Sequence, residues 1–183
     1  MGKLTITEAL AEIKTIGKRL DKKRGLVFSF LGRDERIRDP FSKEGGSQQV
    51  VAAEMQSIHD LEERLVSIRT KIQEANGRIS ITLQNETRTI LQWLAWRKEV
   101  APDLQQFYTK LASQLQQLRK EAQAKGMVVM GANVRVGEGQ QVVQILVNLD
   151  EKKLMEDGEK LESILGELDG QLSLKNATEF VEV

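Results

Sequence analysis

No cysteine occurs in this chain, which removes disulfides and thiolate metal ligation together. Only one histidine is present, His59, so a multi-histidine zinc centre cannot be built. Excess charge of either sign is also lacking, because 27 Lys and Arg balance 27 Asp and Glu. A neutral chain has no general field to draw nucleic acid or an anionic membrane. No apolar run approaches the roughly 20 residues of a membrane span, and no apolar signal stretch opens the chain. The expectation is a soluble protein made in the cytoplasm. Aromatic residues make up only 4%, too few to interleave with basic side chains as a base-stacking groove.

What is present points to helices. At 183 residues the chain is long enough to bury a core. Its 40% apolar and 30% charged content, dominated early by Lys, Arg, Glu, Gln, Leu and Ala, suits long helices with coiled-coil-like packing. Thr5-Ile6-Thr7-Glu8 has the capping-box pattern. Ile6, Leu10, Ile13, Ile16 and Leu20 then recur at helical spacing, so a first helix is expected over about 6–23.

The segment 25–47, "GLVFSFLGRDERIRDPFSKEGGS", is expected to be a long loop carrying the apolar residues Val27, Phe28, Phe30 and Leu31. Such loops are uncommon inside compact proteins and tend to be functional. The segment either pins itself to its own core or orders against a neighbouring subunit.

A second helix should start at a Ser47 cap and end near Asn76-Gly77. Ile58, Leu61, Leu65, Ile68, Ile72 and Ala75 step by three and four along it, a coiled-coil seam. "RISITLQN" alternates and reads as a short strand, with Asn85 capping a helix over about 87–100. Ala101-Pro102 should break that helix and open another. The new helix carries a second seam: Leu104, Tyr108, Leu111, Leu115, Leu118 and Ala122. Two seams in one chain most simply pair with each other as an antiparallel hairpin.

The last third is valine-rich. Two strands, about 127–136 and 141–149, are expected to form a β-hairpin around Gly137-Glu138-Gly139. A short helix over 151–168 follows, and Phe180, Val181 and Val183 offer a third strand. The fold class read from the sequence is mainly α (α+β). A long antiparallel helical hairpin or bundle over 1–126 would precede a small C-terminal α+β unit over 127–183.

No catalytic, cofactor-binding or metal-ligating constellation is legible. "GEGQQ" lacks the lysine and hydroxyl of a phosphate loop, and the acids of "LDEKKLMEDGE" miss the calcium-loop spacing. Trp93 is expected in the core. Trp96, beside Arg97 and Lys98, reads instead as an interface anchor.

"ITEALAEIKTIGKRL", a polar glycine-containing loop, a helix ending "LVSIRTKIQEAN" and "TRTILQWLAWRKEV" together resemble the septicolysin-like small helical proteins over residues 5–120. That resemblance implies a helical fold and brings no activity with it; the strand-rich last third departs from the pattern. "WLAWRKEVAP" is also similar to small proteins from tailed-bacteriophage structural gene regions. That likeness implies a virion component, such as a capsid cement or decoration protein, that binds the major capsid protein or copies of itself. The partner-binding residues expected are Phe28, Phe30, Phe41, Trp96, Arg97, Val134 and Val136. The competing readings are a cytosolic helical adaptor or scaffold, a membrane-active protein, and a nucleic-acid binder using the basic cluster from Lys18 to Arg24.

Overall fold

The computed structural model describes residues 2–130 and 144–182. The chain is mainly helical, with small two-stranded sheets. It divides into two compact units, residues 1–80 with 172–183, and residues 81–171. This partition differs from the 126/127 boundary expected from composition, because the end of the chain belongs to the same unit as its beginning.

The first unit opens with β1 (Lys3–Thr5) and α1 (Ile6–Ser29). Thr5 and Glu8 form the capping box anticipated. The Glu8 backbone N–H donates to the Thr5 hydroxyl at 3.1 Å, and the Thr5 N–H donates to the Glu8 carboxylate at 2.8 Å. The Thr5 N–H, followed by its hydroxyl, holds the Glu8 carboxyl below the usual carboxylate range. Helix α1 runs six residues past its expected end at 23, to Ser29, because Val27 extends the buried stripe and outweighs the helix penalty of Gly25. The connection to α2 (Ser47–Arg78) is therefore 30–46 rather than 25–47.

Ile58, Ile68, Ile72 and Ala75 of α2 share one core with Ile6, Ala9, Ile16, Leu20 and Val27 of α1. Ion pairs Glu12–Arg64 and Lys23–Glu54 join the helices, and their numbers run in opposite directions. The long antiparallel hairpin thus exists, but its arms are α1 and α2. The expected pairing of the 58–75 seam with the 104–122 seam is corrected. Helix α1 carries a matching stripe and lies one short connection away, so closing that pair costs less chain entropy. The unit is completed by β6 (Phe180–Glu182), which runs antiparallel to β1 with Leu4 opposite Val181. The C-terminal strand was expected beside the valine-rich segment. It lies against β1 instead, where Val181 is buried in the α1–α2 core.

In the second unit β2 (Ser80–Leu83) and β3 (Glu86–Thr89) form a hairpin. Its two-residue turn holds Gln84 at φ 44° and Asn85 at φ 71°. Asn85 is thus a turn residue and not a helix cap. The cap of α3 (Ile90–Ala95) is Thr89, which forms a second capping box with Gln92. The expected break at Ala101-Pro102 is also corrected. Trp96–Val100 makes one π turn, in which the Ala101 N–H bonds the Trp96 carbonyl, and α4 (Ala101–Ala124) continues from it. Pro102 falls in the first turn of α4, where it cannot donate to the ladder that runs through from α3, and the wider preceding turn makes room for its ring.

Helix α5 (Glu151–Thr178) passes Gly158 and extends ten residues beyond its expected end at 168. Arg97–Asp169 at 2.6 Å and Arg119–Glu151 at 2.6 Å tie it antiparallel to the α3–α4 stretch. The 104–122 seam therefore has α5 beside it. Strands β4 (Val128–Met130) and β5 (Gln144–Leu146) do pair, but in parallel, so they are not the expected β-hairpin. Residues 131–143 between them, with the expected glycine turn, lie outside the described residues.

Candidate contact surface

The α1–α2 connection is where the sequence-derived candidates gather. Chain direction reverses here around a carboxylate. Asp39 accepts from the Ser47 N–H at 2.8 Å, the Ser47 hydroxyl at 2.6 Å and the Phe41 N–H at 2.9 Å. It thereby caps α2 from eight residues upstream, so Ser47 is the first helical residue rather than the cap. Gly46 takes the cap position at φ 94°, a conformation only glycine adopts readily. Phe30 and Phe41 close the loop edge to face, with centroids 4.8 Å apart.

Three large apolar side chains stand out here: Phe28, in the last turn of α1, is 69% exposed, and Leu31 and Ile37, on the connection itself, are 74% and 65% exposed. Leu31 also lines a groove of about 260 Å³ with Phe30, Gly32, Arg33, Gln48 and Val51. Of the expected contact residues, Phe28 projects outward, while Phe30 and Phe41 are half-buried and hold the loop's shape. Ile37 was not anticipated. It sits alone between charges in "RDERIRD", with no periodic signal to mark it.

Trp96 and Arg97 belong to the second unit and do not form an open anchor. Trp96 is half-buried edge-to-face on Trp93, with centroids 5.5 Å apart, and Arg97 is held by Asp169. Val134 and Val136 lie outside the described residues.

The Ser47 hydroxyl, ahead of the Ser47 N–H, is the main cause that holds the Asp39 carboxyl at about 2, below its ordinary 3.8. A carboxyl depressed on folding adds stability above its unfolded pKa, and that contribution is lost as pH falls through the folded value. Acid titration of the intact protein should therefore show α2 capping weakening between about pH 4 and pH 2. Asp39→Ala should flatten that limb of the stability–pH curve and speed proteolysis within 30–46 at neutral pH. Equal slopes for variant and parent would refute the assignment.

A groove of about 770 Å³ in the first unit is lined by Lys3, Lys71, Arg78, Glu74, Glu179 and Glu182 with Phe180 and Val181. Its charges are mixed, and Lys71 and Glu74 pair along its α2 wall at 3.0 Å. His59 is exposed and faces Glu63 at 3.3 Å. Among the described residues, no three His, Cys, Asp or Glu side chains gather closely enough to hold a metal ion. No described helix is long and apolar enough to cross a membrane.

No family model and no curated protein matches the chain. Among solved structures it is similar to a functionally unknown conserved protein from Corynebacterium diphtheriae. The two are 13% identical, cover 99% and 100% of each other, and superpose with a TM-score of 0.55. At that identity the likeness is one of fold.

Proposed function

We propose that this chain is a non-enzymatic assembly protein that works by surface contact, with the α1–α2 connection as its working surface. The observation that carries this reading is the set of three exposed apolar side chains: Phe28 at the end of α1, and Leu31 and Ile37 on the connection fastened by Asp39 and the Phe30–Phe41 pair. Apolar area left in water on a rigid support is contact area held ready, worth about 25 cal/mol per Å² when covered. Arg33, Arg36 and Arg38 alternate with acids along the same loop. Aromatic anchors beside arginines suit protein partners better than small molecules.

The more specific form of the proposal is a virion component, a cement or decoration protein touching the major capsid protein or further copies of itself. It draws on the phage-like segment "WLAWRKEVAP", and repetition around a shell would multiply contacts that are weak singly. The test is a triple variant, Phe28→Asp, Leu31→Asp and Ile37→Ser, with helical content checked by circular dichroism. Incorporation into purified particles should fall at least tenfold. Full incorporation would remove the tip as the contact surface. Failure of the parent chain to appear in purified virions by mass spectrometry would remove the virion form and leave the adaptor or scaffold.

A further inference from the structure

Two stretches of this chain repeat one another. Each opens with a strand that ends on a threonine, and in each that threonine caps the next helix with a residue three places on: Thr5 with Glu8, and Thr89 with Gln92. Ile6 and Ile90 then occupy the same helical position, each 1% exposed. Leu10 and Leu94, Ala11 and Ala95, and Lys14 and Lys98 fall in step behind them.

The closing helices match at an offset of one hundred. Ile68 and Leu168 are both fully buried, and Ile81 and Val181 are each 3% exposed in the strands that follow. The helix exits also coincide. The Ile79 N–H bonds the Ala75 carbonyl, and the Glu179 N–H bonds the Lys175 carbonyl. The order in the first half is therefore strand, helix, helix, strand, and the second half repeats it with β4 and β5 inserted between its two long helices.

The sheets pair the halves reciprocally. β1, the opening strand of the first half, pairs with β6, the closing strand of the second. β2, the closing strand of the first half, pairs with β3, the opening strand of the second. The registers agree as well. Lys3 lies opposite Glu182, and the corresponding residues of the other sheet, Thr87 and Thr82, bring their hydroxyls to 2.8 Å.

We propose that the chain is a tandem duplication of one self-recognising module. The partner these strands fit is then the same module from a second copy of the chain, taken up when the Gln84–Asn85 turn opens. Every strand pair made within one chain has an equivalent made between two. The only covalent difference is the two-residue turn, and that turn is strained. Gln84 at φ 44° and Asn85 at φ 71° are consecutive left-handed residues, neither of them glycine. A short strained hinge between interchangeable halves favours exchange into a dimer. This goes beyond the contact-protein reading and does not rest on it, since the tip residues take no part in either sheet.

Deleting Gln84 and Asn85 from the full chain leaves no residue with which to reverse direction. The purified variant should sediment as a dimer with parental helical content. Relaxing the turn by Gln84→Asn with Asn85→Gly should do the opposite and suppress any dimer that the parent forms on refolding at high concentration. A folded monomer after the deletion overturns the proposal. If the deletion variant aggregates, a circular permutant decides. Its new termini lie at the same turn, and a short Gly/Ser linker joins the original ends, since Lys3 and Glu182 are neighbours in the β1–β6 pair. A folded monomeric permutant supports reciprocal pairing of the halves, and an unfolded one overturns it.

Discussion

Trp93→Ala should be the most damaging single substitution in the second unit, lowering stability by about 3–5 kcal/mol. Trp93 is 1% exposed, and its indole N–H donates to the Ile81 carbonyl at 3.0 Å. Its ring takes the edge of Trp96 on one side and the Arg88 guanidinium, 4.8 Å from its centroid, on another. Alanine would leave a large cavity, a buried carbonyl without its donor and an arginine without its stacking surface. Trp93→Phe separates these effects. It keeps most of the apolar volume and removes the hydrogen bond, for a smaller loss of about 1–3 kcal/mol. Trp96 remains as the fluorescent reporter in both variants. The check is the denaturant midpoint at unchanged m-value. A Trp93→Ala loss below about 1 kcal/mol would contradict the buried, bonded position described here.

Ile68→Ala and Leu168→Ala should each cost about 2–5 kcal/mol and agree with one another to within about a kilocalorie. Both side chains are fully buried, and they sit at equivalent points of the two halves. Equal burial at equivalent sites leaves cavities of similar size, and cavity size is what spreads the cost of such truncations. Val66→Ala is the control. Val66 lies on the same helix as Ile68 but is 61% exposed, so its loss should fall within about 0.5 kcal/mol of zero. Calorimetry together with denaturant melts would read all three. A marked loss at one of the buried pair with none at the other would break the equivalence of the halves.

Much of the helical layout was legible from the residues. The Thr5–Glu8 cap, the seam from Ile58 to Ala75 and the strand around Ile81 stand where spacing and capping chemistry put them, and so does the stripe from Ile6 to Leu20 except at Leu10, which is exposed while Ala9 beside it is buried. The duplication left a signal too, in the two Thr-Ile openings and in the leucine and isoleucine positions one hundred apart. The signal is faint because most exposed positions have diverged.

Of the proposed contact surface, the irregular connection between α1 and α2 was readable from glycine, proline and phenylalanine content. The roles within it were not. Phe30 and Phe41 turn inward onto each other while Phe28, Leu31 and Ile37 face out, and nothing in their order distinguishes the two groups.

The sequence by itself determined which faces of which helices are apolar, where most of them start, and that the chain has neither cysteine nor a histidine cluster for metal chemistry. Only the tertiary structure decided which stripe meets which. It paired α2 with α1, tied α5 to α4, carried the final strand back to the first, and placed a π turn just ahead of Pro102. The reason is that an apolar stripe records its own spacing but not its partner. Two stripes of similar pitch are chemically interchangeable, and the choice between them falls to chain closure and side-chain fit.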